Sequence, residues 1–98
     1  MEDSYLPTPA QDLSNRRTIT LTWSDRTTKN VKIGGTFNAW TPVDMERNAE
    51  GGWSYSMDLA VGEYQYKYFV EEEWRLDPSA LTVEDSGGNV NHVVHVGL

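Results

Sequence analysis

Gly62-Glu63-Tyr64-Gln65-Tyr66-Lys67-Tyr68-Phe69-Val70 is the stretch that decides the fold class. Its apolar residues recur at every second position. An extended chain therefore places Tyr64, Tyr66, Tyr68 and Val70 on one face and Gln65, Lys67 and Phe69 on the other. The same period appears on either side. Trp53, Tyr55, Met57 and Leu59 alternate with Ser54, Ser56 and Asp58, and Ile19, Leu21 and Trp23 alternate with Thr18, Thr20 and Thr22. Val31 and Ile33 start a further strand that Gly34-Gly35 closes. Trp74-Arg75-Leu76 is a short extended piece ending at Asp77-Pro78, and the valine-rich run 91–96 is again strand-like. No window collects an apolar stripe at 3.6-residue spacing over helical length. Short strands separated by polar turns predict an all-β sandwich or barrel.

The chain has 98 residues, enough for one domain. Residues 1–17 hold two prolines and no apolar periodicity, so they are expected to be a disordered lead-in, with the folded module spanning 18–98. Four Trp, five Tyr and two Phe supply the core, since each aromatic buries roughly 150–250 Å². There is no cysteine, hence no disulfide and no thiolate metal site. His92 and His95 are three apart in a strand, so they face opposite ways and are expected to share no metal. A net charge of −7 disfavours nucleic acid and anionic membrane surfaces. No apolar run approaches the roughly 20 residues that span a bilayer. The acidic start Met1-Glu2-Asp3 is unlike a secretory signal, so a cytoplasmic location is expected, with the nucleus as a second compartment.

The aromatic residues divide by context. Trp23, Trp53 and Tyr64 alternate in register with aliphatics and belong to the core. Trp40 lies outside any alternating run, either as a lid folded on the core or as an exposed plate. Trp74 follows the charged turn Glu71-Glu72-Glu73. Lys67 falls on the polar face of its strand, and Ser86-Gly87-Gly88-Asn89-Val90-Asn91 forms a polar loop. If these groups meet at one end of the sandwich, they suit a sugar, whose ring has an apolar C–H face and a hydroxyl rim. Stacking would orient the rings, and Lys67 and Asn91 would hydrogen-bond hydroxyls. Glycoside hydrolysis needs two carboxylates across a cleft; Glu63, Asp77, Glu84 and Asp85 are turn carboxylates with no deep cleft to hold them, so no enzyme is expected. The glycine pairs match turns and no phosphate loop, and no cofactor is implied.

Four motifs carry a resemblance. Gly35-Thr36-Phe37-Asn38-Ala39-Trp40, the 62–70 strand, Trp74-Arg75-Leu76-Asp77-Pro78 and Gly88-Asn89-Val90-Asn91 together resemble the glycogen-binding module of AMP-activated protein kinase beta subunits, carbohydrate-binding module family 48. The resemblance runs from about Thr18 to Val96. It implies an early-set immunoglobulin-like β-sandwich that binds α-1,4-linked glucan without catalysis and targets or regulates an attached kinase assembly. Kinase subunits are then the expected protein partners. It also implies that Trp40 and Trp74 are the stacking platforms and that Lys67 and Asn91 are the hydrogen-bonding pair, with Asn89 contributing beside them. Three departures stand out. Gly87 occupies the place where many animal beta subunits have a leucine that pokes through a cyclic glucan. Asn48 occupies the place of their regulatory phosphoserine, and Glu71-Glu72-Glu73 replaces an Asp-Gly type turn. Gly87 and the acidic turn support the alternative of a protein-interaction sandwich that has weakened or lost sugar binding, while Asn48 argues against phospho-dependent docking through that position.

Overall fold

A computed structural model describes residues 15–97. Most of the expected lead-in (1–14) lies outside the described residues. Its last two residues do not belong to a lead-in, because the first strand already starts at Arg16 and pairs Arg16 with Ala60 and Arg17 with Leu59. Among the described residues the strands are β1 (Arg16–Trp23), β2 (Val31–Gly35), β3 (Val43–Asp44), β4 (Glu46–Arg47), β5 (Trp53–Ala60), β6 (Gly62–Val70), β7 (Glu73–Arg75), β8 (Thr82–Glu84) and β9 (Val90–Val96), with a 3-10 turn at Thr36–Asn38. They form two antiparallel sheets, one ordered β1-β5-β4 and the other β3-β2-β6-β9-β8, with β7 also paired to β6. The chain is an all-β sandwich, as the alternation predicts. It switches sheets at Met45, a buried residue between β3 and β4 whose N–H donates to Val31 O at 3.0 Å.

The long strand β6 organises the larger sheet. One edge pairs with β2 from Tyr66 to Val70. The other edge is shared, by β9 along Gly62–Tyr66 and by β7 along Tyr68–Val70. Gly34 and Gly35 are the last two residues of β2, still paired opposite Lys67 and Tyr66, and the strand closes on them as the sequence suggested. Their pairing brings the chain that leads to Trp40 alongside the centre of β6.

The inward face of β6 reads as alternation requires. Tyr66, Tyr68 and Val70 join Leu21, Trp23, Val31, Ile33 and Met45 in one cluster. Tyr68 ties the sheets together: its ring lies 4.9 Å from that of Trp23, and its hydroxyl donates to Thr22 O at 2.7 Å. Burial, with a smaller effect from Tyr66, pushes the Tyr68 phenol well above its usual range, so it stays a neutral donor. Trp53 and Tyr64, expected in the core, are only half-buried. Trp53 packs beneath the Arg47 guanidinium at 4.5 Å, and Tyr64 turns its hydroxyl outward to Ala60 O at 2.8 Å.

The β6–β7 hairpin closes through two residues, since Val70 pairs with Glu73. Both loop residues are left-handed, Glu71 at φ 51° and Glu72 at φ 71°. Positive φ at both positions is the type I′ arrangement that suits the twist of paired strands, and it favours Asn or Gly over Glu. Glu71 is anchored, its N–H donating to Asn30 O at 3.0 Å and its carboxylate accepting from Lys29 N–H at 3.2 Å. Glu72 makes no such bond among the described residues. Relief of backbone strain at Glu72, about 1–3 kcal/mol, exceeds the added unfolded-state entropy of glycine, about 0.4–1 kcal/mol. Glu72→Gly is therefore expected to stabilise the domain by about 1 kcal/mol, read as a higher midpoint in urea; an unchanged or lower midpoint contradicts the strain argument.

Candidate functional site

Local hydrogen bonding fixes Trp40 in place. Asn38 Oδ1 accepts the Gly35 N–H at 2.9 Å, Trp40 N–H donates to Gly35 O at 2.8 Å, and Thr41 N–H donates to Asn38 O at 3.1 Å. Ala39 and Trp40 both take left-handed φ, 56° and 59°. Two successive residues in this region are held only where surrounding bonds over-determine them. The result is a rigid tip that carries an indole 36% exposed, so Trp40 is a plate and not a lid.

Trp74 reaches the same place from β7. It pairs with Phe69 across the strand edge, and its six-membered ring crosses β6 to lie over Gly34. A Cβ at Gly34 would fall 2.8 Å from Trp74 Cη2, so the missing side chain makes the room in which the indole rests. Trp74 remains 43% exposed. Its centroid is 6.1 Å from that of Trp40 at an interplanar angle of 75°, and 4.9 Å from that of Phe69 at 60°. The two tryptophans thus stand nearly perpendicular to each other.

The polar wall comes from β6, β9 and the loop between β8 and β9. Asn91 is 4% exposed, and its amide Nδ2 donates to Gln65 Oε1 at 3.0 Å and Asp85 Oδ2 at 3.4 Å. Asp85 holds the loop itself: Oδ1 accepts the N–H groups of Gly87 and Asn89, each at 2.9 Å, while Oδ2 accepts Asn89 Nδ2 at 3.3 Å. The Asn89 backbone N–H is the largest influence holding the Asp85 carboxyl below the usual range; burial opposes it, and the bonds from Gly87, the Asn89 amide and Asn91 add to the lowering. Gly88, at φ 85°, supplies the left-handed turn at the tip.

Trp40, Lys67, Trp74, Asp85, Asn89 and Asn91 line one open hollow of about 310 Å³. All five residues singled out in the sequence meet there. The place differs from expectation. Gln65, Lys67 and Phe69 alternate with the buried tyrosines, so the hollow lies on the outer face of the larger sheet and not at one end of the sandwich. Lys67 is half-buried against this face instead of free in solvent. Sequence reading missed Asp85 and Gln65. The run Asp85-Ser86-Gly87-Gly88-Asn89 does carry an Asp-turn signal, whereas the Gln65–Asn91 bond depends on strand register. A larger hollow, about 590 Å³, surrounds Trp23, Arg75 and Pro78, but its carboxylates are already engaged, Asp25 by Thr27 and Asp77 by Ser79. His92 and His95 do face opposite ways: His92 is fully buried, and His95 is exposed beside Glu63 at 3.7 Å.

Asp85→Ala is expected to free the loop and release the Asn91 amide, weakening any ligand of this hollow on the order of tenfold with little change in melting temperature. The carboxyl is depressed, so its bonds are fully present above the ordinary value of 3.8 and are lost as pH falls through its lower folded value. Affinity is therefore expected to hold from neutral pH down to about 4 and to fall only in stronger acid. A titration calorimetry series that shows the loss already near pH 6 would contradict this role for Asp85.

Comparison with known proteins places this geometry in a family. Residues 17–98 match the family described as the glycogen recognition site of AMP-activated protein kinase. The beta-2 subunit of 5'-AMP-activated protein kinase from Homo sapiens is 34% identical over 96 residues, which cover 98% of this chain and 33% of that subunit. The beta-1 subunit from Bos taurus is 38% identical over 68 residues, 69% of this chain and 25% of the subunit. The chain thus spans about a third or less of the length of the relatives it matches. With the match running through every strand from β1 to β9, the chain belongs to the glycogen-recognition family of AMP-activated protein kinase.

Proposed function

We propose that the domain binds α-1,4-linked glucan of the glycogen or starch type at the Trp40–Trp74 hollow, without catalysis. The observation that carries this reading is the 75° angle between two exposed indoles above a polar wall. Coplanar plates suit a flat ribbon of sugars. Perpendicular plates suit a chain whose successive rings turn, as α-1,4 linkage makes them do. Lys67 offers three donors, and the amides of Asn89 and Asn91 complete a rim that can pair with hydroxyls. Each stacking platform contributes roughly 1–3 kcal/mol by analogy with aromatic–base stacking. Association entropy offsets much of it, which gives affinities of roughly micromolar to millimolar. The absence of catalysis is supported by chemistry: the hollow is lined by one carboxylate, Asp85, already occupied by four hydrogen bonds, where glycoside hydrolysis uses two.

The relatives are kinase beta subunits, and the domain's place is then in a cytoplasmic kinase assembly that it brings to glucan. Docking that depends on phosphorylation at Asn48 is not part of this reading. The Asn48 Oδ1 accepts the N–H groups of Glu50 and Gly52, at 3.1 and 3.0 Å, and so serves the β4–β5 turn.

The test is a chemical-shift titration of labelled protein with maltoheptaose. Saturable movement of the Trp40 and Trp74 indole signals, with Trp23 and Trp53 quiet, is expected; silence in all four up to millimolar ligand rejects the reading. Gly87 offers a second check. It is exposed, and a Cβ there meets Asn89 Nδ2 at 3.4 Å and Asp85 Oδ1 at 3.5 Å, ordinary contact distances. Gly87→Leu is expected to add apolar contact to a bound glucan and tighten binding by about 1 kcal/mol, below the full burial value because the site is open.

A further inference from the structure

Trp74 stands between one hollow that it lines and another that it reaches through its contact with Phe69. On one side is the Trp40–Lys67 hollow. On the other is a second hollow of about 410 Å³, lined by Asn30, Lys32, Phe69, Glu71 and Glu72. We propose that this second hollow is an accessory sugar subsite, occupied by the same glucan once the chain is long enough to cross Trp74. The inference rests on the glucan reading above.

Strand register builds the continuity. Lys32 pairs with Phe69 and Phe69 with Trp74, so the three stand in one row across β2, β6 and β7 on the outer face. In the neighbouring row of this face, Gly34 pairs with Lys67. Because the Trp74 ring leans over Gly34, Lys67 lies on one side of the indole and Phe69 with Lys32 on the other. Phe69 is half-buried and touches Trp74 edge to face, which makes an unbroken aromatic path Trp40–Trp74–Phe69.

The rim beyond Phe69 has the polar groups a neutral, hydroxyl-rich ligand needs. Among the described residues Lys32 is tied only to the exposed Asp44 at 3.7 Å, a weak surface pair that leaves its donors available. The Glu72 carboxylate is exposed and makes no bond among the described residues. Carboxylates accept from hydroxyls and ammonium groups donate to them. The two acidic side chains sit at positions where the backbone favours Asn or Gly, so the sequence keeps carboxylates at this edge despite the strain. Two carboxylates beside a lysine give a mixed rim, better matched to a neutral chain than to a basic or acidic peptide.

The experiment compares maltotriose with maltoheptaose on the labelled domain. Both are expected to shift the Trp40 and Trp74 indole signals. Only maltoheptaose is expected to shift the backbone amides of Asn30, Lys32 and Glu72, with the same dissociation constant as the indoles. Maltotriose is the control for effects relayed through Trp74–Phe69 packing, which both sugars would produce. In the Lys32→Ala/Glu72→Ala double variant, the affinity advantage of maltoheptaose over maltotriose is expected to shrink roughly three- to tenfold, with maltotriose binding unchanged. Identical shift patterns for the two sugars, or an unchanged advantage in the variant, overturns the subsite and leaves the principal site standing. If neither sugar moves Trp40 and Trp74, the glucan reading falls and the subsite falls with it.

Discussion

Trp74→Ala is expected to abolish retention on glycogen or amylose while the domain stays folded. Loss of a stacking platform worth roughly 1–3 kcal/mol weakens binding by about five- to 150-fold, enough to carry a weak module below detection. The cost to the fold is smaller. Trp74 is 43% exposed and lies outside the core cluster, so what it gives up is its edge contacts with Phe69 and Trp40. Such contacts are worth about 0.5–1.5 kcal/mol each, against about 5–15 kcal/mol for a domain. Trp40→Ala should act in the same direction. Gly34→Ala provides a sharper companion, because it deletes no aromatic. Its Cβ would displace Trp74 from its resting place 2.8 Å away, and binding should fall although both indoles remain. Affinity chromatography with a thermal melt of each variant reads the result. Unchanged retention in both tryptophan variants would remove these residues from the site.

The strands were legible because β6 is buried on one face only. Tyr66, Tyr68 and Val70 inside and Gln65, Lys67 and Phe69 outside leave a period-two record that no helix reproduces. The same record placed Lys67 correctly on the outward side. It could not say that this side carries the hollow, because that depends on β7 and β9 sharing one edge of β6. Trp74 and Asn91 are seventeen residues apart and meet only through that shared edge. The same limit explains Gln65, whose bond to Asn91 spans 26 residues. β3 and β4, two residues each, are too short to leave a period at all. The β6–β7 connection was legible as a charged turn, but its two-residue geometry was not, for another reason. Glu71 and Glu72 adopt a conformation their side chains disfavour, so local propensity pointed away from a tight hairpin that the flanking strand pairing imposes. Asp85 was hidden by its ordinariness, since a turn aspartate is usually a solvated one, and only its four hydrogen bonds, from three residues, distinguish it.

His92→Leu is expected to be the most destabilising single change among the residues around the site. The imidazole is fully buried, with Tyr66 at 5.2 Å and Tyr68 at 5.6 Å, and a leucine would fill much of its space. Packing is therefore not what the substitution loses. Nε2 accepts the Asp77 N–H at 2.8 Å, and Nδ1, 3.1 Å from Leu81 O, must then be the protonated nitrogen. One neutral ring thus satisfies two backbone groups of the segment that joins β7 to β8. Leucine leaves the Asp77 N–H unpaired at about 1–3 kcal/mol, whereas Leu81 O keeps the Val93 N–H at 3.4 Å and loses only its second partner. At about 4–8 °C per kcal/mol for a domain of this size, the melting temperature should fall by at least about 4 °C. His92→Gln is the control. Its amide offers one donor and one acceptor, so it should recover part of the loss, whereas a purely steric role predicts that glutamine is no better than leucine. The consequence reaches the proposed glucan site through the backbone. His92 follows Asn91 directly and faces inward where Asn91 faces out, so the bonds to Asp77 and Leu81 that hold the ring also fix the strand from which the Asn91 amide is presented. Faster hydrogen exchange at the Asp77 amide in the leucine variant, together with weaker maltoheptaose binding by the fraction still folded, would show that the buried imidazole positions the sugar-binding edge as well as supporting the core.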